Sequence, residues 1–447
     1  MEIKTIPCNR EISLRKECLD IIDTMNDNGY ECYLVGGCVR DILLDIEPQD
    51  YDFCTNARPE EITKLFERTI PTGVKYGTVT IVIGRNTYEM TTYRAESEYQ
   101  DSRHPNSIEF LSSLKEDLMR RDFTINAIAY HPHEGFLSLE DSTGNDIKEG
   151  IICCVGDPKM RFMEDSIRIL RALRFSLRYG FDIEDKTFRY MKLFAPLLLN
   201  ISKERLYKEL KEILDNEAFL TNLNEYLDIL NPLFPFLNIT ELKKINYRFK
   251  KDTKLAEFYD SNRFLINLSL LLSNTDLTHV KNKEEENIVK FNLQCAVLDR
   301  LKLKKIERNR IESILRYMWL NHYEVDVNEE LDNLQETLRQ LRVILRITGY
   351  ETAMCLLVLL EIMNSNSTGN YYMIADFLYM IQNASDRCVY IQDLCINGND
   401  VKKYGYEGRK IKETLNDILN AIYEGKISNE KMSIYAWLEK NRPDNEY

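Results

Sequence analysis

Tyr33–Asp52, YLVGGCVRDILLDIEPQDYD, is the stretch whose reading decides the fold. Cys32 to Val35 is a short apolar run that predicts a buried strand. Gly36 and Gly37 then break the chain where backbone must turn sharply or approach a ligand closely. Val39 to Leu44 predicts a short helix carrying Arg40 and Asp41, and Pro48 ends it. Asp50-Tyr51-Asp52 enters a second strand through Phe53. Side chains two apart on a strand share a face, so Asp50 and Asp52 are expected to point the same way. Two aimed carboxylates beside a Gly-Gly turn suit a hard cation such as magnesium, with glycine amides facing the phosphates it neutralises. The pattern looks like a nucleotidyl-transfer site.

Around this stretch the chain is ordinary in composition. Its 447 residues suffice for about three domains, and 44% hydrophobic with 29% charged residues is a globular balance. No run of about 18 apolar residues suggests a membrane span, and the charged start MEIKTIPCNREISLRKE is unlike a signal peptide. Eleven scattered cysteines without a CxxC pair predict reduced thiols and a cytoplasmic protein. The net charge of −13 argues against a nucleic-acid partner only weakly, because placement matters more than the sum. From Lys159 to Arg178 six basic residues face two acidic ones, a stripe able to meet RNA.

In chain order, Met1 to about Asn28 predicts a leading helix, and Pro59 to Phe66 another with acids at its N-terminus. Thr78–Ile83 and Thr87–Tyr93 predict a hairpin about Gly84-Arg85-Asn86, which offers Glu89 as a third carboxylate. Arg94 to Ser107 predicts a polar, strand-poor loop, and Ile128 to Asp141 irregular chain with one short strand. His131 and His133, flanking Pro132, predict an exposed turn. Beyond about Gly156 strand signals nearly vanish and helical spacing takes over. The fold class is α+β: a mixed head followed by an all-α remainder. Expected divisions are 1–150, 151–215, 216–390 and 391–447.

Taken together the motifs resemble one family, the class II CCA-adding enzymes and bacterial poly(A) polymerases of the polymerase-β superfamily. The resemblance is carried by Leu34 to Asp41, Asp50-Tyr51-Asp52, Glu89 to Arg94, and Asp117-Leu118 with Arg120 to Ala127. It continues through Asp141 with Gly144, Glu164 to Arg168 with Arg171 and Arg174-Phe175, then Glu204-Arg205 with Glu209. A lone DxD is weak, occurring also in glycosyltransferases and plain turns. Six motifs in order across Tyr33 to Leu214 are specific. Ile396 to Asp400, followed by Gly405 and Gly408, is similar to the tail of the bacterial enzymes, whereas Asn216 to Ile391 matches only as a helical body.

The resemblance implies a polymerase-β-like nucleotidyltransferase head with helical neck, body and tail. It implies that Asp50 and Asp52 ligate Mg2+ and that Glu89 completes the catalytic carboxylates. Gly36, Gly37 and Arg40 would hold the triphosphate. Arg121, Asp122 and Asn126 would contact ribose and phosphates, and Arg171, Arg174 and Arg178, on neighbouring faces of the same helix, would either meet phosphate or form salt bridges within the neck. Asp165 and Arg168 would read the base from one helix face, with Glu164 orienting Arg168. A carboxylate accepts from the amino group of C or A, and a guanidinium donates to ring nitrogen or carbonyl, so U and G fit poorly. Glu204, Arg205 and Glu209 would brace the neck. The implied activity is template-independent addition of CCA to tRNA from CTP and ATP, with tRNA gripped along its acceptor arm and elbow. Rival readings are A addition alone, poly(A) synthesis, and a non-catalytic RNA-binding relative. Monomer and homodimer are both compatible with the sequence.

Overall fold

The computed structural model describes all residues except 1, 9–11, 74–76, 97–107, 111–112, 140–144, 246, 248, 275–282, 321–333, 365–370, 385–387 and 443–447. The chain forms two units, Met1–Pro235 and Phe236–Tyr447. The motif pair Asp141 and Gly144 and most of the loop to Ser107 lie outside the described residues.

In the first unit the first ten strands are β1 (Ile3–Ile6), β2 (Cys32–Val35), β3 (Asp52–Thr55), β4 (Thr69–Gly73), β5 (Thr78–Ile83), β6 (Asn86–Thr92), β7 (Arg94–Glu96), β8 (Ile108–Phe110), β9 (Ile128–His131) and β10 (Gly135–Leu139). Eight form one mixed sheet in the order β1-β10-β9-β2-β3-β6-β5-β4, and β7 pairs with β8 apart from it. The apolar run β2 lies between β3 and β9, and all four of its residues are buried. On β6 the alternation is plain: Tyr88, Met90 and Thr92 are buried while Glu89 is exposed. Strands β3 and β6 run parallel with Asp52 opposite Glu89.

Helices of this unit are α1 (Lys16–Asp27), α2 (Gly37–Leu43), α3 (Pro59–Leu65), α4 (Leu114–Met119), α5 (Asn145–Glu149), α6 (Pro158–Glu164), α7 (Ile167–Tyr179), α8 (Asp185–Phe194), α9 (Lys203–Leu214) and α10 (Phe219–Leu230). Helix α7 buries Ile169, Leu170, Leu173 and Leu177 along one stripe, so its arginines are left for the opposite side.

Four local expectations need correction. The leading helix begins only at Lys16, because Ile3–Ile6 forms a strand against β10, a partner about 130 positions away that local pattern does not reveal. Asp50 precedes strand β3 rather than sharing it with Asp52. There Arg15 holds the bend, donating to the Pro48 carbonyl at 3.4 Å and covering the Tyr51 ring at 4.8 Å. Arg94–Glu96 is strand, where a loop was expected to begin. Ile128–Leu139 is a hairpin of two strands, and His131 within it is buried, its Nε2 lying 3.0 Å from Asn26 Nδ2.

The second unit is helical among the described residues, from Ile239–Leu242 to Lys431–Lys440. The Ile396–Asp400 run forms a reciprocal helix cap: Asn397 Oδ1 accepts from the Asn399 amide at 2.8 Å, and Asp400 Oδ2 from the Asn397 amide at 3.1 Å. Tyr406 belongs to the apolar cluster there with Leu394, Val401, Ile418 and Leu438. Among the described residues no single helix is long and apolar enough to cross a membrane. All eleven cysteines are free thiols.

Candidate active site

Glycine is required at position 36. Its φ of +76° and ψ of −127° are disfavoured for L side chains, and a Cβ there would sit 2.7 Å from Arg121 Nη1. The turn therefore brings α2 and Arg121 together at the end of β2.

One cavity of about 1170 Å3 opens beside this corner. It is lined by Gly36, Gly37, Arg40, Asp50, Asp52, Glu89, Arg121, Asp122, Asn126, Asp165, Arg168, Arg171 and Arg174, all singled out in the sequence. Glu164 stands behind this wall, its Oε2 accepting from Arg168 Nη1 at 2.6 Å.

The carboxylates come from the sheet. Asp50, Asp52 and Glu89 are all exposed toward the cavity. The surrounding protein still strips Asp52 of part of its hydration, and this desolvation, reinforced by the charges of Glu89 and Asp50, pushes its carboxyl up to about 6, with Arg121 pulling the other way.

The cations come mostly from α7 and are matched in pairs. Arg171 Nε donates to Asp122 Oδ2 at 2.7 Å, and Arg174 Nε to Glu209 Oε2 at 2.7 Å. Asp122 in turn accepts from Asn126 Nδ2 at 3.0 Å, and Asn126 Oδ1 from Arg40 Nη1 at 2.6 Å. Arg40 also donates twice to Asp41 and lies over the rings of Tyr179 and Phe175 at 4.6 and 5.2 Å. The Tyr179 hydroxyl donates to Asp41 Oδ1 at 3.1 Å. A continuous polar chain thus fastens α2 to α7. Arg40 is 5% exposed and engaged at all three guanidinium nitrogens, which makes it a brace of the cavity wall.

Burial works against ionised Asp122, but Arg171 and the hydrogen bonds from Asn126 and Arg171 outweigh it and hold the carboxyl down at about 2. A carboxyl depressed from its ordinary 3.8 contributes stability that is present above pH 4 and lost as pH falls through 2, about 2 kcal/mol in full. Asp122→Asn is expected to lose about that much at pH 7, with the deficit shrinking below pH 4. Urea-dependent hydrogen exchange in α7 measures it, and a pH-independent deficit would contradict the assignment.

The Asp165 and Arg168 pair, expected to read the base, differs from the single-helix expectation. Helix α6 ends at Glu164, Asp165 is extended at φ −150° and ψ 100°, and α7 starts at Ile167. The separation of Asp165 and Arg168 is set by this break. Asp165 Oδ1 accepts from the Ile167 amide at 3.3 Å, and Oδ2 pairs with Arg205 Nη2 at 2.5 Å. Arg168 is fixed by Glu164, the Arg161 carbonyl at 3.0 Å and the Arg120 carbonyl at 3.3 Å. Arg205, expected only to brace the neck, lines the cavity, as do Lys208 and Arg178. The periodicity of α9 places Arg205 and Lys208 three apart on one face, a signal that was present but unspecific.

Residues 32–153 match the model of the poly A polymerase head domain, and 180–240 that of a probable RNA and SrmB-binding site of polymerase A. The CCA-adding enzyme of Limosilactobacillus fermentum is 43% identical over 228 residues, 51% of this chain and 56% of that enzyme, so this match spans only about half the relative. That of Ligilactobacillus salivarius is 35% identical over 356 residues, 75% of this chain and 85% of the relative. Among solved structures, the Bacillus stearothermophilus CCA-adding enzyme in complex with CTP is similar with a TM-score of 0.66 and 28% identity, covering 96% of this chain and 97% of that one.

Proposed function

The chain belongs to the CCA-adding enzymes, tRNA nucleotidyltransferases, and on that premise we propose that it adds C and A to the 3′ end of tRNA from CTP and ATP without a nucleic-acid template. The observation that carries the reading is the joining, in one cavity, of the Asp50, Asp52 and Glu89 carboxylates with the Asp165 and Arg168 pair.

The carboxylates fit a divalent metal. They offer oxygen donors only, open to the cavity, and since no group of three His, Cys, Asp or Glu side chains among the described residues is placed to hold an ion by itself, the rest of its shell would have to come from water and substrate. Magnesium suits such a set, because it takes one or two carboxylates and completes its shell with water and substrate phosphates. Asp50 and Asp52 would hold it, with Glu89 beside them. Bound there, it would lower the pKa of the RNA 3′-hydroxyl and neutralise charge on the departing pyrophosphate.

The other steps belong to side chains. Gly36 and Gly37 give the phosphates room to approach backbone, and the paired Arg121 and Arg171 set the wall around the sugar and phosphates. Asp165 accepts from the amino group of C or A. Arg168, tied at three acceptors, keeps further N–H donors for the base, since a guanidinium carries five. A uracil carbonyl facing Asp165 meets acceptor against acceptor, which is how template-free selection arises. The proposed setting is the cytoplasm.

The test uses purified protein, Mg2+ and two tRNA transcripts, one lacking CCA and one lacking only the final A. Each receives CTP, ATP, UTP or GTP singly, then CTP with ATP. Two C and one A on the first transcript, then arrest, is the expected result. Extension of the second alone makes it an A-adding enzyme, a long A ladder a poly(A) polymerase, and no product an RNA-binding relative.

A further inference from the structure

Most of the cations that line the cavity are paired with carboxylates among the described residues. Arg40 pairs with Asp41, Arg120 and Arg121 with Asp117, Arg168 with Glu164, Arg171 with Asp122, Arg174 with Glu209, and Arg205 with Asp165. Arg178 on α7 and Lys208 on α9 line the same cavity, are exposed, and have no carboxylate partner among the described residues. Helices α7 and α9 pack together, so the unmatched positive charge comes from two neighbouring elements.

The position of Arg178 says which part of a substrate it meets. Its guanidinium lies 5.4 Å from the Tyr179 ring, the same ring that Arg40 covers at 4.6 Å. Arg40 follows the Gly36–Gly37 turn directly, so Arg178 stands at the glycine-corner end of the cavity. Arg168 is ten residues earlier on the same helix, about 15 Å away at the rise of an α-helix, and it reaches the Arg120 carbonyl. A nucleotide whose base meets Arg168 and whose phosphates run toward the glycine corner ends near Arg178.

We infer that Arg178 and Lys208 bind the terminal phosphates of the incoming nucleoside triphosphate, and the pyrophosphate released from it. The inference rests on the nucleotidyltransferase reading for its ligand. An Arg fork and a Lys point charge without carboxylate partners suit phosphate oxygens. A backbone phosphate of the RNA would satisfy the same chemistry, and the experiment separates the two.

Calorimetry in Mg2+ compares binding of CMP, CTP and pyrophosphate to the wild-type protein, the R178A/K208A double variant, Arg178→Lys, and Arg189→Ala. Arg189 is exposed on α8 and does not line the cavity, so it controls for bulk charge. A filter assay measures binding of tRNA lacking CCA. The double variant is expected to lose at least roughly tenfold of the preference for CTP over CMP and to weaken pyrophosphate alike. CMP and tRNA affinities should stay within about twofold, Arg178→Lys should keep part of the preference, and Arg189→Ala all of it. An unchanged CTP preference overturns the inference, as does weakened tRNA binding with CTP binding intact, which assigns the pair to RNA. If the wild-type protein prefers CTP yet extends no RNA, the transferase reading fails while this one stands. If RNA is extended normally and the double variant keeps its preference, only this one fails.

Discussion

Asp52→Ala is expected to lower nucleotide incorporation by roughly 10³-fold or more while leaving tRNA binding within about twofold. Asp52 is the first residue of β3, directly opposite Glu89 on β6, and both face the cavity that also holds Asp50. No neighbouring carboxylate can replace it, because Asp50 lies off the strand in the bend held by Arg15. RNA affinity comes from positive charge against phosphate, and removing an acid does not reduce that. Stability gives a second readout. Desolvation, with the charges of Glu89 and Asp50, raises the Asp52 carboxyl to about 6, so the folded state holds this proton more tightly than the unfolded chain. The contribution is present at low pH and lost as pH rises through 6. At pH 7.5 the ionised side chain therefore strains the fold, and Asp52→Asn should unfold no earlier than wild type. Single-turnover incorporation, filter binding and thermal unfolding of the same samples decide it. Activity equal to wild type would remove Asp52 from the chemistry, and loss of RNA binding in parallel would mark it as structural.

Gly36→Ala is expected to cut kcat/KM for CTP about 10²-fold with the fold retained. Two costs combine. The backbone at φ +76° disfavours an L residue by about 1–3 kcal/mol, and the new methyl group would meet Arg121 Nη1 at 2.7 Å. Arg121 has no easy retreat, since it is also held on Asp117 at 3.1 Å and points at the Asn126 carbonyl at 3.4 Å. Either the turn unwinds or Arg121 leaves the wall, and a misplacement of about 1 Å at such a site costs about that factor. Gly84→Ala is the control: its φ of +61° carries the same kind of backbone strain, but nothing lies within 4 Å of the added Cβ and the residue does not line the cavity. Steady-state kinetics on both variants test the argument. Equal behaviour would show that the turn geometry does not govern the site.

The two-residue logic of the sequence reached the sheet well. The apolar run of β2, the glycine break and the alternation on β6 are local facts of composition and period, so they were legible before any contact was known. The N-terminal strand was not, because IKTI becomes a strand only by pairing with β10, and the helical spacing of the residues that follow it was extended back over it. The carboxylate geometry was half legible: the residues were evident, but Asp50 precedes the strand, in a bend whose Pro48 carbonyl and Tyr51 ring meet Arg15 from more than thirty positions away.

The Glu164-Asp165-x-x-Arg168 run gave the residues of the pair proposed to read the base but not their arrangement. A spacing of three implies a shared helix face only where the helix is unbroken, and here it breaks at Asp165, whose oxygen is taken by Arg205 forty positions away. By itself, then, the sequence determined the family, the mixed head with its helical remainder, and most of the side chains that line the cavity, because motif order and periodicity are properties of neighbouring residues. Only the tertiary structure decided which cations are matched. Arg40, Arg171 and Arg174 read alike with Arg178 in one dimension, yet three meet carboxylates and one does not. Charge compensation depends on distances between distant segments, and no local pattern carries those.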